Sequence, residues 1–186
     1  MRVKREDCVL LVIDVQERLI DTIAEKTEIV KSIKALIKAA DVLHLPVLVT
    51  EQEKLGETIP ELKNRLSNSP KFRKLSFSCC ERPEFMVKLK ELGKKVVIAC
   101  GIETHICVMQ TVLDLLQRGY CVLVPKDATS SHAVVDRETA IERMHDSGAT
   151  ITTSEALIYE LTEKAGTEEF RKILEIVKER RNSANS

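Results

Sequence analysis

The chain has no tryptophan, only two tyrosines and four phenylalanines, so an aromatic clamp for a flat ring would be thin. It also has no excess of either charge, because 29 basic and 29 acidic residues cancel. No overall field therefore attracts nucleic acid or an anionic membrane. No apolar run approaches the roughly 18 residues that a membrane span needs. We expect a small-molecule substrate as partner, with no nucleic acid and no membrane.

The six cysteines lack the spacing of a metal site or of a disulfide scaffold. No Cys-x-x-Cys pair occurs, the adjacent Cys79 and Cys80 do not have a zinc spacing, and the four histidines are scattered. Asp14 interrupts the N-terminal apolar run and no small-residue cleavage site follows, so we expect no export signal. We predict a cytoplasmic, reducing location, no metal and no cofactor.

Short apolar runs alternate with helix-length segments along the whole chain, which indicates an α/β protein. We predict a three-layer α/β/α, Rossmann-like fold with a mostly parallel six-stranded sheet, forming a single domain over residues 1–186. The core spans about 8–160, with C-terminal helices over 153–180. Predicted strands are 8–13, 47–50, 96–100, 121–124 and 149–152, and residues 71–78 are ambiguous between strand and loop. Predicted helices include 27–44, 60–66, one from Pro83 towards Gly93, and 104–117.

Ligands of such folds bind beyond the carboxyl ends of the strands, which directs attention to Asp14 and Gln16. Asp14 follows the first buried strand directly. A carboxylate there is partly desolvated, which suits acid–base chemistry, but a turn or capping role has about even odds on position alone. Gln16 reaches the same crevice, although a solvated amide is the more ordinary interpretation.

Cys107 follows the strand at 96–100, in the first turn of the predicted helix that starts near Thr104. Unpaired N–H groups and partial positive charge at a helix N-terminus stabilise a thiolate and lower a thiol pKa. A buried structural cysteine remains the stronger interpretation for an isolated residue. His105 is two residues away and does not face Cys107 on a helix, so we place it at the rim of a pocket.

Two further segments have ordinary interpretations from their residues alone. The run KFRKLSFSCC, residues 71–80, contains cations that could neutralise a thiolate, but a solvated basic cluster is the stronger interpretation of this segment alone. Asp127 begins the segment DATSS, which is typical of a turn and a helix cap rather than of catalysis.

Four segments in order resemble the isochorismatase-like cysteine hydrolases, the superfamily that includes nicotinamidases and N-carbamoylsarcosine amidohydrolase. They are LVIDVQ at residues 11–16, KLSFS at 74–78, GIETHICV at 101–108 and DATSS at 127–131. The resemblance covers residues 8 to about 160, and the third segment is the most specific. It is closest to isochorismatase-domain proteins of unassigned substrate.

The resemblance implies a catalytic triad of Asp14, Lys74 and Cys107. Asp14 would be the general acid–base, Lys74 would hold it, and Cys107 would form a thioester. A cis peptide bond would join Ile102 and Glu103, and the backbone N–H groups of Glu103 and Cys107 would bind the oxyanion. We assign substrate contacts to Gln16, Ile102 and His105.

Two departures narrow this prediction. Nicotinamidases carry an Asp and His metal pattern after the second strand, where this chain reads TEQEK at residues 50–54, so nicotinamidase activity is disfavoured. Isochorismatases that cleave a vinyl ether lack the nucleophilic cysteine. We predict a metal-independent hydrolase of a small amide or ureido C–N bond, in a homo-oligomer. A catalytically idle oligomeric protein and a thiol redox protein that uses Cys107 remain alternatives.

Overall fold

A computed structural model describes residues 2–182 and contains one parallel sheet covered by helices on both faces. All the pairings between its strands are parallel, in the order β3-β2-β1-β4-β5-β7, with β6 beside the end of β4. The strands are β1 (Cys8–Ile13), β2 (Val47–Gln52), β3 (Lys71–Lys74), β4 (Val96–Ile102), β5 (Cys121–Pro125), β6 (Thr129–Ser130) and β7 (Thr150–Thr152).

Two apolar cores lie on the two faces of the sheet, because every residue of the central strands β1 and β4 is buried and their side chains alternate between the faces. The helices are α1 (Glu17–Ile20), α2 (Lys26–Leu43), α3 (Pro60–Lys63), α4 (Pro83–Glu91), α5 (Met109–Gln117), α6 (Val134–Asp146), α7 (Ser154–Thr162) and α8 (Glu168–Asn182). Helices α2, α7 and α8 cover one face, and α4, α5 and α6 cover the other. No helix in the described part of the chain is long and apolar enough to span a membrane.

The strand order places a topological switch point between β1 and β4. The chain runs outward from β1 to β2 and β3, then returns to the other side of β1 as β4. Connections therefore leave the neighbouring ends of β1 and β4 in opposite directions, which opens a crevice there. Asp14 lies directly after β1, and the segment that contains Cys107 lies directly after β4.

The predicted three-layer α/β fold is confirmed, but the predicted number of strands is wrong. The sheet has seven strands because Thr129 and Ser130 pair with Gly101 and Ile102. A two-residue strand is too short to produce an alternating pattern, and its residues match the turn that we predicted there. The ambiguous segment 71–78 is a strand as far as Lys74 and irregular beyond it.

Gly101 allows β4 to lie close to β1 at the switch point. Its φ is +124°, and a Cβ atom would stand 2.0 Å from the carbonyl oxygen of Ile13. We expect Gly101→Ala to lower the free energy of unfolding by about 1–3 kcal/mol, because backbone atoms must move apart. Urea denaturation measures this loss. Gly119→Ala is the matched control, since Gly119 also has a positive φ of +83° but nothing within 4 Å of the added atom. An equal loss in both variants would show that the close approach is unimportant.

Candidate active site

A buried ion pair joins Asp14 and Lys74 at the carboxyl edge of the sheet. The Lys74 Nζ lies 2.7 Å from Asp14 Oδ2, and the two side chains are 1% and 0% exposed. The turn after β1 gives Asp14 a left-handed backbone with φ of 52°, and the last position of β3 points Lys74 inward. The structure thus brings together two residues that lie 60 positions apart in the sequence.

Lys74 also holds the turn that follows it. Besides Asp14, its ammonium donates to Gln52 Oε1 at 2.8 Å and to the carbonyl oxygens of Ser76 and Phe77 at 3.2 and 3.0 Å. Four acceptors therefore share the three N–H groups of one ammonium. Burial alone would lower the pKa of Lys74, but the charge of Asp14 outweighs this effect and raises that pKa. Lys74 is therefore a cation at neutral pH.

Cys107 lies beside this pair, in a π-helical turn, Thr104–Val108, that precedes α5. Cys107 is 6% exposed, and its Sγ is 4.0 Å from Gln52 Oε1. Such turns are rare, and they are frequent at functional sites. The single α-helix that we predicted from Thr104 is therefore wrong in its first turn, since the Val108 N–H bonds to the Glu103 carbonyl, five residues back.

The predicted lowering of the Cys107 pKa is also wrong. Burial raises the pKa of this thiol well above its ordinary value, and the Asp14 carboxylate raises it further, while Lys74 acts in the opposite direction. The desolvation of a thiolate and its repulsion by a carboxylate outweigh the benefit of a helix N-terminus. The resting site therefore holds a neutral thiol beside the Asp14–Lys74 ion pair.

Three residues of this cluster were given no role in the site from the sequence. Thr50 donates from Oγ1 to Asp14 Oδ1 at 2.7 Å, so both oxygens of the carboxylate accept a hydrogen bond. The Cys79 thiol lies 3.6 Å from the Thr50 hydroxyl, and burial followed by the charge of Asp14 raises the pKa of Cys79 to about 11. Gln52 is the third of these residues, and its Oε1 accepts a hydrogen bond from Lys74 Nζ. The rule that ligands gather at strand ends points to Thr50 and Gln52, which close β2.

The residues predicted as substrate contacts differ in their access to this site. Gln16 is fully buried and its amide bonds to backbone groups, which favours a positioning role. Ile102 is also fully buried, and its peptide bond to Glu103 is cis, which confirms that expectation. His105 is 29% exposed and its Nδ1 lies 2.9 Å from Ser131 Oγ. As substrate contacts all three stay predictions.

The Glu103 carboxylate and Asp127 have structural partners. Glu103 Oε2 accepts the His132 N–H at 2.8 Å. Asp127 accepts the N–H and hydroxyl of Ser154, the first residue of α7, which agrees with the predicted capping role. Among residues 2–182, no group of three or more His, Cys, Asp or Glu side chains is placed to hold a metal ion.

Comparison with known proteins gives the site a family context. Isochorismatase domain-containing protein 2 of Xenopus laevis is 40% identical over 174 residues, covering 92% of this chain and 83% of that protein. A structure described as MAR1 ribonuclease from Caenorhabditis elegans superposes with a TM-score of 0.90 at 39% identity, covering 95% of this chain and 92% of that one.

A second solved structure is described with a covalently bound compound. YcaC from Pseudomonas aeruginosa, described with hexane-2,5-diol and covalent acrylamide, has a TM-score of 0.90 at 26% identity, over 99% of this chain and 96% of that one. The isochorismatase domain itself matches residues 8–156. Given that match and the 40% identical relative, this protein belongs to the isochorismatase family.

Proposed function

We propose that this protein is a metal-independent cysteine hydrolase that cleaves the C–N bond of a small, uncharged amide or ureido compound. One observation carries the proposal, the buried Asp14–Lys74 pair beside the Cys107 thiol. The cluster has no net charge with the proton on sulfur, and it keeps none when the proton moves to Asp14. A thiolate thus forms during attack without adding net charge to a buried site.

The reaction then proceeds in two halves. The Cys107 sulfur attacks the carbonyl carbon while its proton passes to Asp14, giving a tetrahedral oxyanion that the N–H groups of Glu103 and Cys107 would bind. Asp14 returns the proton to the leaving nitrogen, the C–N bond breaks, and a thioester and a free amine result. Water then attacks the thioester, passes a proton to Asp14, and releases the acid as the sulfur regains that proton.

The hydrogen bonds that Lys74 already makes within the protein favour an uncharged substrate. Four acceptors of the protein already surround its ammonium, so a substrate carboxylate would have to displace one of them. A carboxylate would also meet the negative charge of Asp14 in a poorly solvated site.

Covalent chemistry in a relative is consistent with this proposal. Acrylamide is an electrophile that alkylates thiols, and it is covalent in the YcaC structure. The ribonuclease name belongs to the nematode protein. The balance of 29 basic and 29 acidic residues does not favour an RNA substrate here.

Two measurements on the wild-type protein test the proposal. A panel of small amides and ureido compounds, each paired with a carboxylate-bearing analogue, is assayed for release of ammonia or amine, and a short RNA is included. Samples quenched in acid during turnover are analysed by intact mass and peptide mapping. We expect an acyl adduct on Cys107 and a preference of about tenfold or more for the uncharged member of a pair. Turnover without an adduct, or cleavage of RNA alone, would contradict the proposal.

The predicted homo-oligomer and cytoplasmic location stay proposals. Leu75 and Phe77, next to the site, are 70% and 53% exposed, and exposed apolar side chains of this size suit a contact with another subunit. Light scattering of the purified protein measures the oligomeric state.

A further inference from the structure

Gln52 occupies a central place in the site that catalysis by the triad leaves unexplained. Its Oε1 accepts from Lys74 Nζ at 2.8 Å and lies 4.0 Å from Cys107 Sγ. Its Nε2 donates to the Leu75 carbonyl at 2.7 Å, which fixes the amide so that the oxygen faces the ammonium. Gln52 and Lys74 are also partners in the register of β2 and β3, so their side chains leave the sheet on the same side.

Gln16 holds Gln52 through the backbone. Its Oε1 accepts the Gln52 N–H at 2.7 Å, while its Nε2 donates to the Gln52 carbonyl at 2.9 Å and to the Gly56 carbonyl at 2.8 Å. All three of these hydrogen bonds go to the end of β2 and the loop that follows it. Gln16 is fully buried, and because its amide makes these hydrogen bonds to one loop, it specifies the position of that loop.

The same contact continues along both segments. The N–H groups of Glu17, Arg18 and Ile59 bond across to the carbonyls of Glu57, Leu55 and Val15, and Gln16 pairs with Thr58 as an isolated antiparallel bridge. The segment after Asp14 is thereby joined to the segment after Gln52. These bonds connect the two sides of the site.

We propose that Gln52 is a positioning residue that aims the Lys74 ammonium at Asp14 and Cys107, and that Gln16 acts through Gln52. This inference rests on the proposed function for its importance in catalysis. The reactivity of the Cys107 sulfur then depends on the amide of Gln52, and Gln16 affects that reactivity only through Gln52.

Alkylation of Cys107 by iodoacetamide tests the inference without any turnover. The rate is followed by peptide mapping between pH 7 and 10 for wild type, Gln52→Glu, Gln52→Leu, Gln16→Leu and the Gln16→Leu/Gln52→Leu double variant. Gln117→Glu, an exposed position at the end of α5, is the control for added charge. Circular dichroism and thermal unfolding establish that each variant is folded, and only folded variants are compared.

We expect Gln52→Glu to slow alkylation about tenfold or more at a given pH, because a carboxylate about 4 Å from sulfur opposes the thiolate. Its rate profile should shift to higher pH, while that of Gln117→Glu should match wild type. Gln52→Leu and Gln16→Leu should each slow the reaction about threefold or more, and the double variant should be no slower than the slower single variant.

A wild-type profile in folded Gln52→Glu would overturn the inference, and so would additive effects of the two leucine substitutions. Failure of the proposed function has a different signature. In that case the alkylation profile shifts as expected, but no amide or ureido compound is hydrolysed by the wild-type protein.

Discussion

A Cys107→Ala variant is expected to lose about a thousandfold or more of the hydrolytic rate, with no acyl adduct at any time during turnover. The thiol is the only group of the protein that forms a bond to the carbonyl carbon in the proposed mechanism. Asp14 and Lys74 would retain their ion pair in the variant, because the 2.7 Å contact between them does not involve the Cys107 sulfur. Initial rates and intact mass measured on the same samples provide the two readouts.

Cys121→Ala is the matched control for this substitution. Cys121 begins β5, at the opposite edge of the sheet from the candidate site, so the variant should keep wild-type turnover. Hydrolysis that survives in Cys107→Ala at more than about a tenth of the wild-type rate would refute nucleophilic catalysis by this thiol.

A Lys74→Met variant is expected to lose about 3–5 kcal/mol of unfolding free energy, the second large effect that the structure predicts. The substitution removes one partner of an ion pair whose side chains are 1% and 0% exposed. It leaves Asp14 with a buried, uncompensated charge, and it frees the carbonyls of Ser76 and Phe77 from their donor. Urea denaturation at neutral pH measures the loss.

The pH dependence of this loss has a definite sign. The pKa of Lys74 is raised from 10.5 in the folded protein, so its contribution is fully present below that value and disappears as the pH rises through the higher folded pKa. The difference between wild type and variant should therefore stay constant from pH 6 to about 9 and narrow only above about 10.5.

Two companion variants sharpen the test of Lys74. Lys90→Met, an exposed position on α4, should change stability by less than about 0.5 kcal/mol. The Asp14→Asn/Lys74→Met double variant should recover part of the loss, because it removes both buried charges. A single Lys74→Met variant as stable as Lys90→Met would mean that the ion pair contributes nothing.

The sequence predicts the layers and the starts of β1, β2, β4 and β5 well, because these depend on local patterns. The apolar runs in β1 and β4 are unbroken, and an unbroken run is what burial on both faces requires. The position of Asp14 directly after β1 then follows from the rule for parallel sheets. The family was identified correctly from four ordered segments.

Lys74 and its partners could not be found from the pattern alone. Lys71 and Arg73 share the short strand β3 with it, yet only Lys74 points inward, and nothing in a four-residue strand distinguishes the three. Thr50 contacts Asp14 because β2 lies beside β1, which is a fact of strand order. The direction of the Cys107 pKa shift depends on burial and on Asp14, and both are set by the tertiary fold.

The electrical neutrality of the Asp14, Lys74 and Cys107 cluster has a consequence for its response to dissolved salt. Mobile ions screen exposed charges over roughly 10 Å at 0.1 M salt, but a buried group of zero total charge presents them mainly a short-range dipole. Moving the proton from sulfur to carboxylate reorients that dipole and leaves the total charge at zero. Hydrolysis of an uncharged compound should therefore proceed at nearly the same rate in dilute buffer and in concentrated sodium chloride.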